Sequence, residues 1–405
     1  MTAAVAVFAL VYAGMVLGRI PWLAIDRTGI ALLGALALIA LREVTPEAAW
    51  ASVDVPTISL LFGLMIVSAQ FRLGGFYTEV SRRAGAADAS PPALLGLVMA
   101  CAGALSALLT NDIVCLAMTP PLIDACARRR LNPVPFLLGL ACAANIGSAA
   151  TLIGNPQNML IGEALDLSFA RYTLEAAPAV AGTMAVAWII LCRLYRTAWQ
   201  ADSPAGYSEP VPFDRLQTMK ALTALGIVLL AFVFSPWPRD VVALGMAGLL
   251  LLSRRMHSRE TLGLVDWHLL VLFIGLFVVN AAFEASGAMD ALFGVLRDSG
   301  VDLSRPYVLF AVAAMLSNIV SNVPAVMLLL PASDYSGAGA VLALSSTLAG
   351  NLIIVGSIAN IIVVEQARAR GIVISWREHA RAGVPITLAT LALAATWLAL
   401  LHAAR

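Results

Sequence analysis

The chain alternates apolar runs with short polar breaks. Apolar stretches cover Thr2 to Leu17, Gly29 to Leu41, Val55 to Phe71, Pro92 to Leu109, Ile113 to Cys126, Val134 to Ala144, Met159 to Leu165 and Ala176 to Leu194. They resume at Ala221 to Phe234, Val241 to Leu252, Leu264 to Phe283, Tyr307 to Leu316, Ala325 to Leu330, Ala338 to Ala349, Asn360 to Val364 and Val384 to Leu401. A helix needs about 17 to 25 residues to span a bilayer, so several runs are too short to cross alone. The first run has no basic residue ahead of it and no convincing cleavage site, and reads as a retained span rather than a signal peptide.

The short runs sit beside polar, turn-forming breaks: Thr110-Asn111-Asp112, then Gly147-Ser148 through Gly154-Asn155-Pro156-Gln157-Asn158. Hydrocarbon offers no partner to a freed backbone group, so non-helical chain at this depth implies surrounding protein or a polar cavity. The pattern predicts a re-entrant hairpin over about 92–127 and a broken helix over about 134–165. A second set is expected at about 305–334 and 338–367, because the features recur. Val53-Asp54 returns as Val265-Asp266, Thr110-Asn111 as Ser321-Asn322, and Gly154, Asn158 and Glu163 as Gly356, Asn360 and Glu365. The fold expected is an all-α polytopic membrane protein of two inverted repeats, 1–199 and 216–405, joined by a cytoplasmic linker, 200–215. Each repeat would hold three spans, a hairpin, a broken helix and a final span, about ten crossings plus two hairpins in all. Five crossings per repeat turn the second upside down.

Composition agrees with a membrane chain. Residues are 60% hydrophobic and 12% charged, with a mean hydropathy of +0.89, where soluble domains carry about 25% charged residues. A net charge of +1 argues against nucleic-acid partners. Under the proposed topology about three quarters of the Lys and Arg fall on one side, which makes that side cytoplasmic and both termini external. The five cysteines show no metal-ligand spacing and read as packing residues.

Four half-helices, starting near Asp112, Gln157, Pro324 and Ala359, would aim their N-terminal N–H groups at a midplane site. Thr110, Asn111, Gly147, Ser148, Gly154, Asn155 and Asn158 from the first repeat, with Ser321, Asn322, Gly356, Ser357 and Asn360 from the second, are the candidate substrate-binding residues. No Lys or Arg lies at a tip, so helix ends would bind an anion, and oxygens near Thr110, Asn111 and Ser148 could hold sodium. Asp112 is the candidate coupling residue, with capping of its helix as the plainer alternative. Asn158 and Asn360 could instead tie down the breaks. Glu163 and Glu365 read as solvated interfacial groups, and the four histidines receive no site role. There is no HExxH, acidic metal cluster or nucleophile beside a base, so an enzyme is not expected.

The stretches TNDIVCLAMTPPLI, NIGSAATLIGNPQNMLI, SNIVSNVPAVMLLLP and LAGNLIIVGSIANIIVVE resemble the four signature regions of the ion-transporter superfamily. That group includes arsenical-pump permeases, citrate-type carriers, sodium/proton antiporters and divalent-anion:sodium symporters. Asn111-Asp112 resembles the arsenite-permease branch most, whereas dicarboxylate symporters carry Ser-Asn-Thr at both tips. The resemblance implies an elevator-like secondary carrier in the cell (inner) membrane, often a homodimer, sometimes with a separate ATPase partner. It implies no cofactor beyond a proton or sodium as coupling ion. The function expected is proton-coupled transport of a small anion or oxyacid, with a sodium/proton antiporter as the alternative.

Overall fold

The computed structural model describes residues 3–18, 24–200, 212–253, 257–333 and 335–403. Most of the expected linker, 201–211, and Arg19, Arg254, Arg255 and Arg405 of the charge count lie outside the described residues. The described residues are helical almost throughout. Its first ten helices are α1 (Ala3–Leu17), α2 (Arg27–Ala40), α3 (Pro46–Ala51), α4 (Val55–Leu73), α5 (Phe76–Ala86), α6 (Pro91–Leu108), α7 (Asn111–Arg128), α8 (Pro133–Ser148), α9 (Pro156–Ala164) and α10 (Phe169–Leu194). The next ten are α11 (Arg215–Phe234), α12 (Arg239–Leu251), α13 (Ser258–Leu262), α14 (Trp267–Ala285), α15 (Ala288–Asp298), α16 (Pro306–Val320), α17 (Asn322–Leu329), α18 (Ala338–Ala349), α19 (Ile358–Arg368) and α20 (Trp376–Ala403). Short 3₁₀ turns follow α17 and precede α19. Among the described residues six helices, α4, α6, α10, α11, α14 and α20, are long and apolar enough to cross a membrane. The described residues contain no β-strand beyond an isolated bridge between Leu131 and Gln200.

Equivalent local signals build equivalent helices in the two halves. The Asp54 carboxylate accepts from the Thr57 N–H at 2.8 Å and starts α4, and Asp266 accepts from the Leu269 N–H at 3.0 Å and starts α14. Each capping carboxylate satisfies a backbone donor that the helix leaves orphaned. Both helices then turn into an 11-residue helix, α5 or α15, through a left-handed glycine, Gly75 (φ 69°) or Gly287 (φ 72°).

The halves also exchange contacts reciprocally. Gly63 of α4 lies against Ala243 of α12, while Gly275 of α14 lies against Ala31 of α2. Residues 212 apart thus trade partners, the mark of a pseudo-two-fold axis within one chain. The approach is close: a methyl on either glycine would stand 2.7 Å from its neighbour's carbonyl carbon. Lipid supplies no hydrophobic drive between helices, so such small-residue contacts are what bind them. Gly63→Ala and Gly275→Ala are each expected to cost about 1–3 kcal/mol by overpacking. Gly245→Ala, which meets nothing within 4 Å, should cost none. Thermal midpoints of the three variants in detergent check this, and equal midpoints would refute it.

Candidate functional site

Two breaks meet at the centre of the bundle. The first runs from the end of α8 at Ser148 to the start of α9 at Pro156, and the second from Ala349 to Ile358. Each frees carbonyl groups, and an asparagine collects them. Asn158 donates through Nδ2 to the carbonyls of Thr151 (2.9 Å) and Ser148 (3.3 Å), while Asn360 donates to those of Ile353 (3.2 Å) and Gly350 (2.8 Å). The amide nitrogens are therefore spent on holding the breaks. Among the described residues Asn158 Oδ1 is buried without a partner, as is Asn351 Nδ2 at the second break. Tyr172 seals the first break, its hydroxyl donating to the Ala149 carbonyl at 2.8 Å.

The hub is Asn145, which lies on α8 and is buried. Its Oδ1 accepts from Asn111 Nδ2 (3.1 Å) and Ser357 Oγ (2.9 Å), and its Nδ2 donates to the Oδ1 atoms of Asn351 (2.9 Å) and Asn360 (3.2 Å). Two acceptor and two donor positions are thereby filled, the full capacity of a side-chain amide. The two-fold relation reappears here. Asn155 donates to Thr347 Oγ1 at 3.3 Å, and the equivalent pair, Ser357 and Asn145, bonds at 2.9 Å. Gln157 also donates to Thr347, and Asn155 to Ser148 Oγ. Sequence reasoning missed Asn145, Thr347 and Asn351. The available signal was an asparagine inside an apolar helix three residues before Ser148, with Thr347 opposite it in the repeat.

The hairpin tips are arranged differently from the breaks. Asn155 and Ser357 cap α9 and α19 with their own side chains, whereas Thr110 and Ser321, at the starts of α7 and α17, make no side-chain cap. Of the four expected helix N-termini, the two on the hairpins are thus the ones uncapped by a side chain. The first tip docks on the first break, the Asn111 N–H donating to the Gly154 carbonyl at 3.1 Å. Gly154 permits this because a methyl there would strike the backbone of Ser148 and Ser106. Gly147 is packed against Gly103 backbone, and Gly356 faces Asn318 Oδ1.

Ser321 turns the second tip at φ 80° and ψ 160°, a conformation costing a non-glycine residue about 1–3 kcal/mol. The Ser321 and Asn322 side chains make no hydrogen bond to the central network among the described residues; α17 instead meets the Tyr12 hydroxyl, 3.3 Å from the Pro324 carbonyl and 2.9 Å from Asn280. Asp112 stands in the first turn of α7, half-buried, with no hydrogen bond or ion pair among the described residues. Among the described residues, the uncommitted buried atoms near the breaks and tips are the hydroxyls of Thr110, Ser106 and Ser317, the Oδ1 atoms of Asn111, Asn158, Asn318 and Asn322, and the Nδ2 donors of Asn351 and Asn280, so oxygens predominate.

One peripheral expectation changes. Glu163 is not solvated but paired with Arg239 at 2.9 Å, both side chains mostly buried. His379 is buried on α20, its Nε2 3.3 Å from the Asn351 carbonyl, against the second break. Glu365 is exposed, as an interfacial group should be. Among the described residues no cluster of three or more His, Cys, Asp or Glu could hold a metal.

Comparison with known proteins follows from this architecture. The solved YdaH transporter of Alcanivorax borkumensis has a similar fold, with a TM-score of 0.60 over 98% of this chain and 95% of that one, at 15% identity. The silicon efflux transporter LSI3 of Oryza sativa subsp. japonica is 29% identical over 92% of both chains. The inner membrane protein YbiR of Escherichia coli strain K12 is 32% identical, covering 82% of this chain and 85% of its own length. A 46 kDa membrane protein of Mycobacterium leprae is 29% identical over 98% of this chain and 97% of its own. The family model described as citrate transporter matches residues 12–341; with its apolar spans, paired breaks and polar centre, the chain belongs to that family of membrane transporters.

Proposed function

We propose that this transporter moves a small hydroxylated oxyacid, or its singly charged anion, by proton-coupled alternating access, with Asp112 carrying the proton. The observation behind the reading is the chemistry of the centre. Among the described residues it offers mostly amide and hydroxyl oxygens without partners and two helix ends without a side-chain cap, but no Lys or Arg among its residues. Acceptor oxygens match the hydroxyl donors of a protonated oxyacid, and helix N-termini match a partial negative charge. A multiply charged carboxylate would lack fixed cations to balance it. The rice relative's name points to silicon, and arsenite-like solutes share the same hydroxylated form.

Thr110, Asn111, Asn158, Asn322, Ser148 and Ser357 are the residues proposed to meet the solute, with Gly147, Gly154, Gly356, Asn155 and Asn360 shaping the breaks. The repeats are proposed to lie inverted in the membrane, basic loops in the cytoplasm and termini outside. The second reading is a sodium/proton antiporter, favoured by the same orphan oxygens, which are hard-cation ligands.

A thermal-shift panel of purified protein with silicic acid, arsenite, sulfate, phosphate, citrate, succinate and sodium tests this. A ligand at 100 times its Kd stabilises by roughly 2.7 kcal/mol. Stabilisation by silicic acid or arsenite without sodium is the expected result. Stabilisation by sodium alone would move the assignment to the antiporter, and stabilisation by citrate or succinate alone would overturn the oxyacid class.

A further inference from the structure

The two halves share their helices and their exchanged contacts, yet among the described residues one interaction occurs on one side of the axis only. Arg239 opens α12, and its guanidinium grips the end of α9: Nη1 donates to the Leu167 carbonyl at 2.9 Å, Nη2 to the Gly162 carbonyl at 2.8 Å, and Nε stands 2.9 Å from the Glu163 carboxylate. A cation there also complements the negative end of the α9 dipole. The residues equivalent to this pair are Arg27, which opens α2 as Arg239 opens α12, and Glu365, which lies on α19 where Glu163 lies on α9. Both chemistries are thus duplicated, but the second pair is apart. Among the described residues Arg27 Nε donates to the Met15 carbonyl at 3.3 Å and has no ion-pair partner, and Glu365 is exposed with none either.

The helices carrying the arginines, α2 and α12, are those locked by glycine contacts to α14 and α4. The helices carrying the carboxylates, α9 and α19, belong to the polar centre. The asymmetric bond therefore spans the boundary between a close-packed frame and the solute-handling core. In a protein whose halves are related by a two-fold axis, the conformation of one half is available to the other. Alternating access proceeds by moving one bundle against the other about the central site.

We infer that Arg27 and Glu365 form the matching latch of the opposite-facing state, and that the Arg239–Glu163 and Arg27–Glu365 pairs exclude one another. This rests on the alternating-access reading. Each pair holds one end state and must open before the other closes, so breaking a latch shifts the population between states rather than damaging the solute site.

The test uses full-length protein in vesicles, with the half-buried Cys101 and Cys192 replaced by serine. Glu163→Cys with Arg239→Cys, and Arg27→Cys with Glu365→Cys, are treated with a short bismaleimide, singly and combined in one chain. Each pair alone is expected to cross-link, the second rising when an imposed proton gradient is reversed. The combined variant should give either single link, read by intact mass and peptide mapping, and no doubly linked chain. A doubly linked chain overturns the proposal. So does absence of the Arg27–Glu365 link under both gradient directions while the other pair links. As a check that needs no added thiols, Arg27→Glu should slow solute exchange by about two- to fivefold, in keeping with a partly exposed ion pair, and Arg27→Glu with Glu365→Arg should recover it. Link exclusivity does not depend on which solute is carried, so failure of the oxyacid reading in the binding panel is told apart from failure of the latch.

Discussion

Vesicles containing Asp112→Asn protein are expected to lose gradient-driven solute accumulation while keeping downhill exchange. The carboxylate stands half-buried at the first hairpin tip, beside Asn111 and unpaired among the described residues. Ionisable groups at such depth without a partner default to function. If Asp112 carries the coupled proton, each pH unit of gradient supports about tenfold accumulation per proton, since one pH unit is worth 1.36 kcal/mol. With the amide in its place that ratio should fall to about one, and the dependence of uptake on the gradient should flatten. Asparagine is nearly isosteric and no hydrogen bond is lost, so stability should change by no more than about 0.5 kcal/mol. Flux assays at fixed internal and varied external pH, paired with thermal midpoints, decide it. Accumulation that still follows the gradient in the variant would end Asp112's candidacy and leave it the helix-end role.

Asn145→Ala carries the second large effect, this time on both stability and transport. The substitution strips partners from Asn111 Nδ2, Ser357 Oγ, Asn351 Oδ1 and Asn360 Oδ1 at once. Interhelical hydrogen bonds in membranes average about 0.6 kcal/mol, while a buried polar group left unsatisfied costs about 1–3 kcal/mol. A total loss of roughly 2–4 kcal/mol follows, with reduced flux because the first hairpin is no longer tied to the second break. Thr347→Ala removes an acceptor from Asn155 and Gln157 only and should cost about half as much on the same scale. Combining Asn145→Ala with Ser357→Ala should be less than additive, because the two share a bond. A midpoint for Asn145→Ala equal to the parent's would show that the network is not what joins the halves.

Much of the local architecture was legible beforehand, and for a local reason. Hydropathy, proline and glycine act over a few residues, so the interruptions at Thr110 and at Gly147 to Asn158 marked where helices must stop. In the structure α7 begins at Asn111 and α9 at Pro156. The candidate residues proved easier to find than their duties. Asn158 and Asn360 stood out as polar groups in apolar surroundings, but only their neighbours show that each spends its amide nitrogen on the break before it. Glu163 and Glu365 look alike in sequence; one meets Arg239 and the other meets no cation among the described residues.

By itself, then, the sequence determined that this is a helical membrane protein, where its helices break, and that its features occur twice, since all three are properties of short stretches and their recurrence. Only the tertiary structure decided which polar groups face one another. Asn145 meets Asn351 and Ser357 across more than 200 positions of chain, and the asymmetry between the Arg239 and Arg27 sites exists only in the conformation adopted. Such pairings depend on the rotation and depth of each helix in the bundle. Those are set by close contacts such as Gly63 on Ala243 and Gly275 on Ala31, and no local pattern encodes them.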